Sequence, residues 1–112
     1  MRRGDICWAS IDDPQGSGPG FRRPVVVLQS DDFNQSALRT TICAIVTSNV
    51  RLAEAPGNVR LTRKASGLTQ DSVVNVSQLL TLDKHRLSER VGRVSAETLH
   101  AVEAGVRLVL AL

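Results

Sequence analysis

Apolar positions fall in short strand-like segments, some alternating with polar residues at the period of two of a half-buried strand and others running continuously, and take a clear helical period near the C-terminus. Asp5 to Ile11 is the first strand-like segment, with Ile6, Trp8 and Ser10 on one face and Cys7, Ala9 and Ile11 on the other. Pro24 to Gln29 predicts a second strand, rich in β-branched residues and bounded by turn signals. Thr40 to Thr47 is apolar on both faces and so reads as a central third strand. Asn58 to Thr62 and Ser72 to Val76 predict a fourth and a fifth. Ser77 to Leu82 either continues the fifth strand or departs from it. Arg90 to Val94 is a brief last strand, in which Gly92 suggests a bulge.

The connections carry turn chemistry. Asp12 to Gly20 is long for a hairpin loop and rich in glycine and proline, and long loops in compact domains are often functional. Asp31 to Ser36 suits a helical turn capped by Ser30 or Asp31, and Asp83 to Leu87 a short helix capped by Asp83. Arg51 to Gly57 reads as a loop and Ala65 to Asp71 as a turn-rich stretch. The C-terminal helix is the clearest element. Ser95 is its N-cap, Glu97 complements the helix dipole, and Leu99, Val102, Val106, Val109 and Leu110 share a face. Short strands, tight turns and one terminal helix predict a mainly β, α+β fold: a small antiparallel barrel or rolled sheet.

At 112 residues and 42% hydrophobic content, residues 1–112 form one globular domain. Aromatic residues make up only 3%, so the core must come from Val, Leu, Ile and Ala. No apolar run has the length of a membrane span, and the basic N-terminus lacks the apolar region of a signal peptide. The expectation is a cytoplasmic protein without membrane association. Cys7 and Cys43 lie in apolar strands, where reduced, buried thiols are expected. His85 and His100 are far apart, and no Cys/His spacing suits a metal.

Net charge is +3, and all but two of the fourteen basic residues, Lys64 and Lys84, are arginines. That bias fits a phosphate-bearing or acidic partner, and equally a GC-rich coding sequence. Two stretches are candidates for chemistry. Pro24 holds Arg23 extended at the mouth of the second strand, where its guanidinium could grip a phosphate or a carboxylate with paired hydrogen bonds. Thr47, Ser48 and Asn49 end the third strand, either as plain turn residues or as polar groups offered to a ligand.

Several motifs together carry a resemblance. They are Arg3-Gly4-Asp5-Ile6-Cys7-Trp8, Asp13-Pro14 with Gly16-Ser17, Arg23-Pro24-Val25-Val26-Val27, and Gly67 to Val74. Thr81 to Leu87 and Val91-Gly92-Arg93-Val94-Ser95 follow in order. With these motifs the chain resembles the MazF/PemK toxin family over nearly its whole length. The resemblance implies an SH3-like barrel, a homodimer, and metal-independent, sequence-selective cleavage of single-stranded mRNA without a cofactor. It implies a cognate antitoxin with an acidic C-terminal segment, and DNA binding by the toxin–antitoxin complex. By resemblance the catalytic pair falls on Arg23 and Thr47, and RNA contacts on Ser17, Arg22, Gln29, Asn34, Ser48 and Asn49. The family usually continues Gly-Ser with an acidic residue, whereas this chain has Gly16-Ser17-Gly18-Pro19-Gly20, which bears on the recognised RNA sequence. Two rival readings stand beside it: a gyrase-poisoning toxin of the CcdB type, which shares the fold, and, from a different class, a non-catalytic RNA-binding barrel. Scarce aromatics weigh against the second.

Overall fold

The computed structural model describes residues 1–11 and 21–112. Among them, six strands form one antiparallel sheet: β1 (Asp5–Ile11), β2 (Phe21–Val27), β3 (Thr40–Thr47), β4 (Val59–Leu61), β5 (Ser72–Asp83) and β6 (Leu87–Arg93). Their order across the sheet is β4-β5-β3-β2-β1-β6. The described residues also form three α-helices: α1 (Asp31–Asn34), α2 (Arg63–Ser66) and α3 (Ala96–Leu110).

Both faces of the sheet are apolar because each strand alternates between two buried clusters. Ile6, Val26, Ala44, Val46, Val74 and Val76 pack with Val102 of α3 on one side. Cys7, Ala9, Val25, Val27, Cys43 and Leu82 pack on the other. The sheet folds over on itself to bury the second set. A bend in β5 permits this: Ala44 pairs with Leu79 but Ile45 with Asn75, so Val76, Ser77 and Gln78 have no partner on β3. The bulge is tied internally, with Asn75 Nδ2 donating to Gln78 Oε1 at 3.1 Å and Ser77 Oγ to Asn75 Oδ1 at 2.7 Å. The two halves that the sequence left open are therefore one strand with a bulge in it.

The edges β4 and β6 are joined through α2, not by a ladder. Gly92 of β6 lies so close to the end of α2 that a Cβ there would sit 2.2 Å from the Ser66 carbonyl oxygen. Gly67 caps α2 with φ 80°, a left-handed conformation suited to glycine. The bulge expected around Gly92 is present, since Ile6 pairs with Gly92 but Cys7 with Arg90. At the other end α3 meets the turn before β4, where a Cβ on Gly105 would lie 2.1 Å from the Gly57 carbonyl oxygen.

Strands β1 and β3 occupy the segments read from the pattern. Ser95 caps α3, accepting the Thr98 N–H at 3.1 Å, and Ser30 caps α1, accepting from Asp32 at 3.2 Å. Several expectations need correction. Asp83 stands at the N-cap of a 3-10 turn (Lys84–Arg86) but makes no side-chain cap bond, and β6 already begins at Leu87. Val50–Glu54 is a 3-10 turn, and α2 interrupts the stretch read as turns. Val109 and Leu110 are exposed at 44% and 52%, although Val102 on the same helix is fully buried. The helix outruns the sheet beneath it.

Candidate active site

Strands β2 and β3 part at one end, and the candidate site lies in the gap. Their pairing runs from Val27↔Cys43 to Val25↔Ile45 and stops there. Strand β2 continues alone along β1 to Phe21↔Ile11. Pro24, which has no N–H to donate, is the first residue beyond the β3 ladder. The strand thus begins at Phe21, earlier than its sequence pattern suggests, because one neighbour is enough to hold it.

A cleft of about 690 Å³ opens where the ladder ends. Arg22, Arg23 and Pro24 form one lip, and Val46 to Asn49 the other. Carrying the β2–β3 register two residues further sets Arg23 opposite Thr47. Alternation puts both on the same side of the sheet as Val25 and Ile45. The loop from α2 to β5 closes the cleft with Leu68, Thr69 and Gln70. That loop is held by Asp71, whose carboxylate accepts the Arg63 N–H at 2.8 Å.

Arg23 is exposed, and its guanidinium carbon lies 5.2 Å from the centroid of the Phe21 ring. Among the described residues no carboxylate forms an ion pair with it. Thr47 Oγ1 accepts the Asn49 N–H at 3.1 Å, which orients the hydroxyl and leaves its proton to donate. Asn49 in turn accepts the Arg51 N–H at 3.3 Å, and Ser48 is exposed between them. Arg22 is engaged differently. Its guanidinium lies 5.2 Å from the Trp8 ring, donates to Ser88 Oγ at 3.3 Å, and stands 3.9 Å from Glu89.

The described lining carries two guanidiniums, hydroxyls and amides, with no imidazole and no carboxylate. It can stabilise developing negative charge and position a phosphate. His85 and His100 are exposed elsewhere. Among the described residues no three His, Cys, Asp or Glu side chains converge as a metal site would require.

The cleft thus brings together Arg22, Arg23, Thr47, Ser48 and Asn49. It does not include Gln29 or Asn34. These two lock onto each other at the β2–α1 junction, with Gln29 Nε2 donating to Asn34 Oδ1 at 3.0 Å and Asn34 Nδ2 to the Gln29 carbonyl at 2.9 Å. Thr41 Oγ1 also donates to Asn34 Oδ1 at 2.9 Å, and Lys84 Nζ to the Asn34 carbonyl at 2.7 Å. Asn34 is buried and lines a separate cleft of about 390 Å³ with Lys84 and Arg90. Ser17 and the Gly16–Gly20 stretch lie outside the described residues. Trp8, Phe21, Thr69, Gln70 and Ser72 line the site without having been singled out for it. Trp8, Thr69, Gln70 and Ser72 fall in motifs that carry the resemblance, but nothing local placed them at the site, because the curl of the sheet is what carries the α2–β5 loop to β2.

Comparison with known proteins agrees with this architecture. Residues 2–110 match the model of the PemK-like, MazF-like toxin of type II toxin–antitoxin systems. The chain is 50% identical over 112 residues to the endoribonuclease MazF6 of Mycobacterium tuberculosis and to MazF2 of Mycobacterium bovis. Each alignment spans 100% of this chain and 98% of the relative. Among solved structures, M. tuberculosis toxin MazF-mt6 superposes with a TM-score of 0.80 at 23% identity, covering 96% of this chain and 97% of that one. A MazE–MazF structure from Deinococcus radiodurans gives a TM-score of 0.81 at 22% identity, covering 100% and 96%. An endoribonuclease in complex with its cognate antitoxin, from a mycobacterial species, gives 0.76 at 19%, covering 100% and 94%. With a family match over nearly every residue and half its positions identical to curated relatives, the chain belongs to the PemK-like, MazF-like toxins of type II toxin–antitoxin systems.

Proposed function

We propose that this chain is an endoribonuclease that cuts single-stranded mRNA in the β2–β3 cleft, with Arg23 and Thr47 as its catalytic pair. The observation that carries the reading is the end of the ladder at Val25↔Ile45, which leaves, among the described residues, an arginine without a carboxylate ion pair and an oriented threonine hydroxyl on opposing lips. The ribose 2′-oxygen attacks the adjacent phosphorus as it loses its proton to solvent. The bond from phosphorus to the 5′-oxygen breaks, and that oxygen takes up a proton. The products are a 2′,3′-cyclic phosphate and a 5′-hydroxyl end. Charge develops on the phosphoryl oxygens, where the Arg23 guanidinium binds and Thr47 donates. A guanidinium holds its proton tightly and is a poor base, so charge stabilisation is its main role. Arg22, Ser48 and Asn49 hold the flanking backbone. Attack in line needs a splayed strand, so duplex RNA is a poor substrate.

The relatives named endoribonucleases and the neighbours solved with an antitoxin support a cognate antitoxin for this chain as well. An acidic antitoxin segment lying across the arginine-lined cleft would exclude RNA and fold as it binds. The toxin–antitoxin complex would be the DNA-binding form. A homodimer fits the exposed Leu108, Val109, Leu110 and Leu112 at the end of α3. No helix of the described residues is long and apolar enough to cross a membrane, and a cytoplasmic location would place the enzyme with its mRNA substrate.

Incubating the protein with mixed-sequence single-stranded RNA in excess chelator, beside Arg23→Ala, tests the reading. Cuts at defined sites with cyclic-phosphate ends are expected from the wild type. Arg23→Ala should be slower by ~10²–10³ or more. A fully active Arg23→Ala protein would overturn the site.

A further inference from the structure

We infer that Phe21 is a base-stacking residue of the cleft, taking the base of a nucleotide flanking the scissile phosphate and thereby setting that phosphate on Arg23. The inference rests on the cleft being the RNA site. Phe21 is the first residue of β2 and is 39% exposed. It contributes to neither buried cluster, so the core does not require it. It lines the cleft, and Arg23, two residues along the same strand face, holds its guanidinium 5.2 Å from the ring centroid. A solvent-facing aromatic ring beside a phosphate-binding cation suits a single-stranded nucleic acid, whose bases stack while the backbone is held by charge.

The other two aromatics do not compete for this role. Trp8 lines the same cleft but is half-buried and covered by Arg22, which is itself held by Ser88. Phe33 sits on α1 and does not line the cleft. Every base has a π face, so stacking on Phe21 adds affinity and register with little sequence preference. Selection of the recognised sequence then falls to polar groups such as Gln70, Ser48 and Asn49 on the opposite wall. In the absence of RNA the ring also steadies Arg23, whose guanidinium would exchange the ring for phosphate as the base takes its place.

The test compares Phe21→Leu and Phe21→Trp with wild type on one single-stranded oligoribonucleotide whose cut site has been mapped. Phe21→Leu is expected to raise KM by ~10-fold or more, with a smaller fall in kcat, and Phe21→Trp to restore wild-type KM. In an Arg23→Ala background, which binds without cutting, 2-aminopurine next to the cut site should be quenched on binding. Adding Phe21→Leu should abolish that quenching. Melting curves confirm that each variant is folded, and because the ring is exposed both should match wild type. Unchanged KM and unchanged quenching in folded Phe21→Leu would overturn the stacking role. So would failure of Phe21→Trp to restore KM. Either result leaves the proposed site standing if wild type cuts and Arg23→Ala does not. If wild type does not cut this or any single-stranded RNA, the reading of the cleft itself falls, and the stacking role falls with it.

Discussion

Thr47 and Arg23 show how little a proposed catalytic position differs locally from an ordinary one. A threonine at a strand end and an arginine before a proline are common features, and what distinguishes these is that the ladder between them has ended. Thr47→Val keeps the shape and removes the hydroxyl donor. RNA cleavage should then fall by about 10²-fold, with stability hardly changed, as measured by oligonucleotide cleavage and thermal melting. The cysteines test burial instead. Burial pushes the Cys43 thiol from its ordinary 9.0 up to about 12, with nearby Cys7 adding to it. Burial, then the Asp5 carboxylate, also raises Cys7. The folded state therefore keeps protons that the unfolded chain releases above pH 9. The thiols' contribution to stability should be constant with pH below that value, and stability should decline between pH 9 and about 12. No tyrosine is present to titrate in the same window. Urea unfolding of wild type and Cys43→Ala across that range checks this, and the decline should be smaller in the variant.

Among the elements, α3 owes its place to a glycine contact and a cap. Gly105→Ala drives a methyl into the Gly57 carbonyl, a backbone atom that cannot rotate away. It should destabilise the protein by about 1–3 kcal/mol, although alanine is the better helix former, and denaturant unfolding will show the sign. Ser95→Ala removes the cap bond to Thr98 and should cost about 1 kcal/mol in the same assay. Strand β6 is pinned by Asp5, whose buried carboxylate receives Arg90 Nε at 3.1 Å, Arg93 Nη1 at 3.0 Å and the Arg2 N–H at 2.7 Å. The segments β1 and α3 were legible because each has an unbroken period, with a cap for α3, and β3 because it is a continuous apolar run bounded by polar residues. The start of β2 was not, since Gly20 and Pro24 signal a loop around residues that pair with β1 alone. The second half of β5 was obscured by its bulge, which breaks the alternation at Ser77 and Gln78. Helix α2 has only four residues, too few for periodicity to register.

Across the whole molecule, a net charge of +3 gathers part of its arginine at one cleft, and binding of a polyanion there must depend on salt. For single-stranded RNA the logarithm of affinity should fall by about 0.7 per neutralised phosphate for each unit of log salt. Replacing Arg22 with Gln should make that slope shallower by roughly this amount, as read from binding to the cleavage-deficient Arg23→Ala protein at several salt concentrations. Local pattern was enough to establish a small antiparallel β fold with a terminal helix, a core of aliphatic residues, and Arg23 and Thr47 as strand-end positions, because period, turn chemistry and capping act over a few residues. Assembly of the site depended on contacts between residues far apart in the chain. Whether β2 and β3 separate at Pro24, which loop closes the gap, and that Asn34 is spent on Gln29 and Thr41 while Phe21 faces solvent, follow from sheet register and curl. Those are set by the packing of both sheet faces at once, and no single stretch of sequence contains that information.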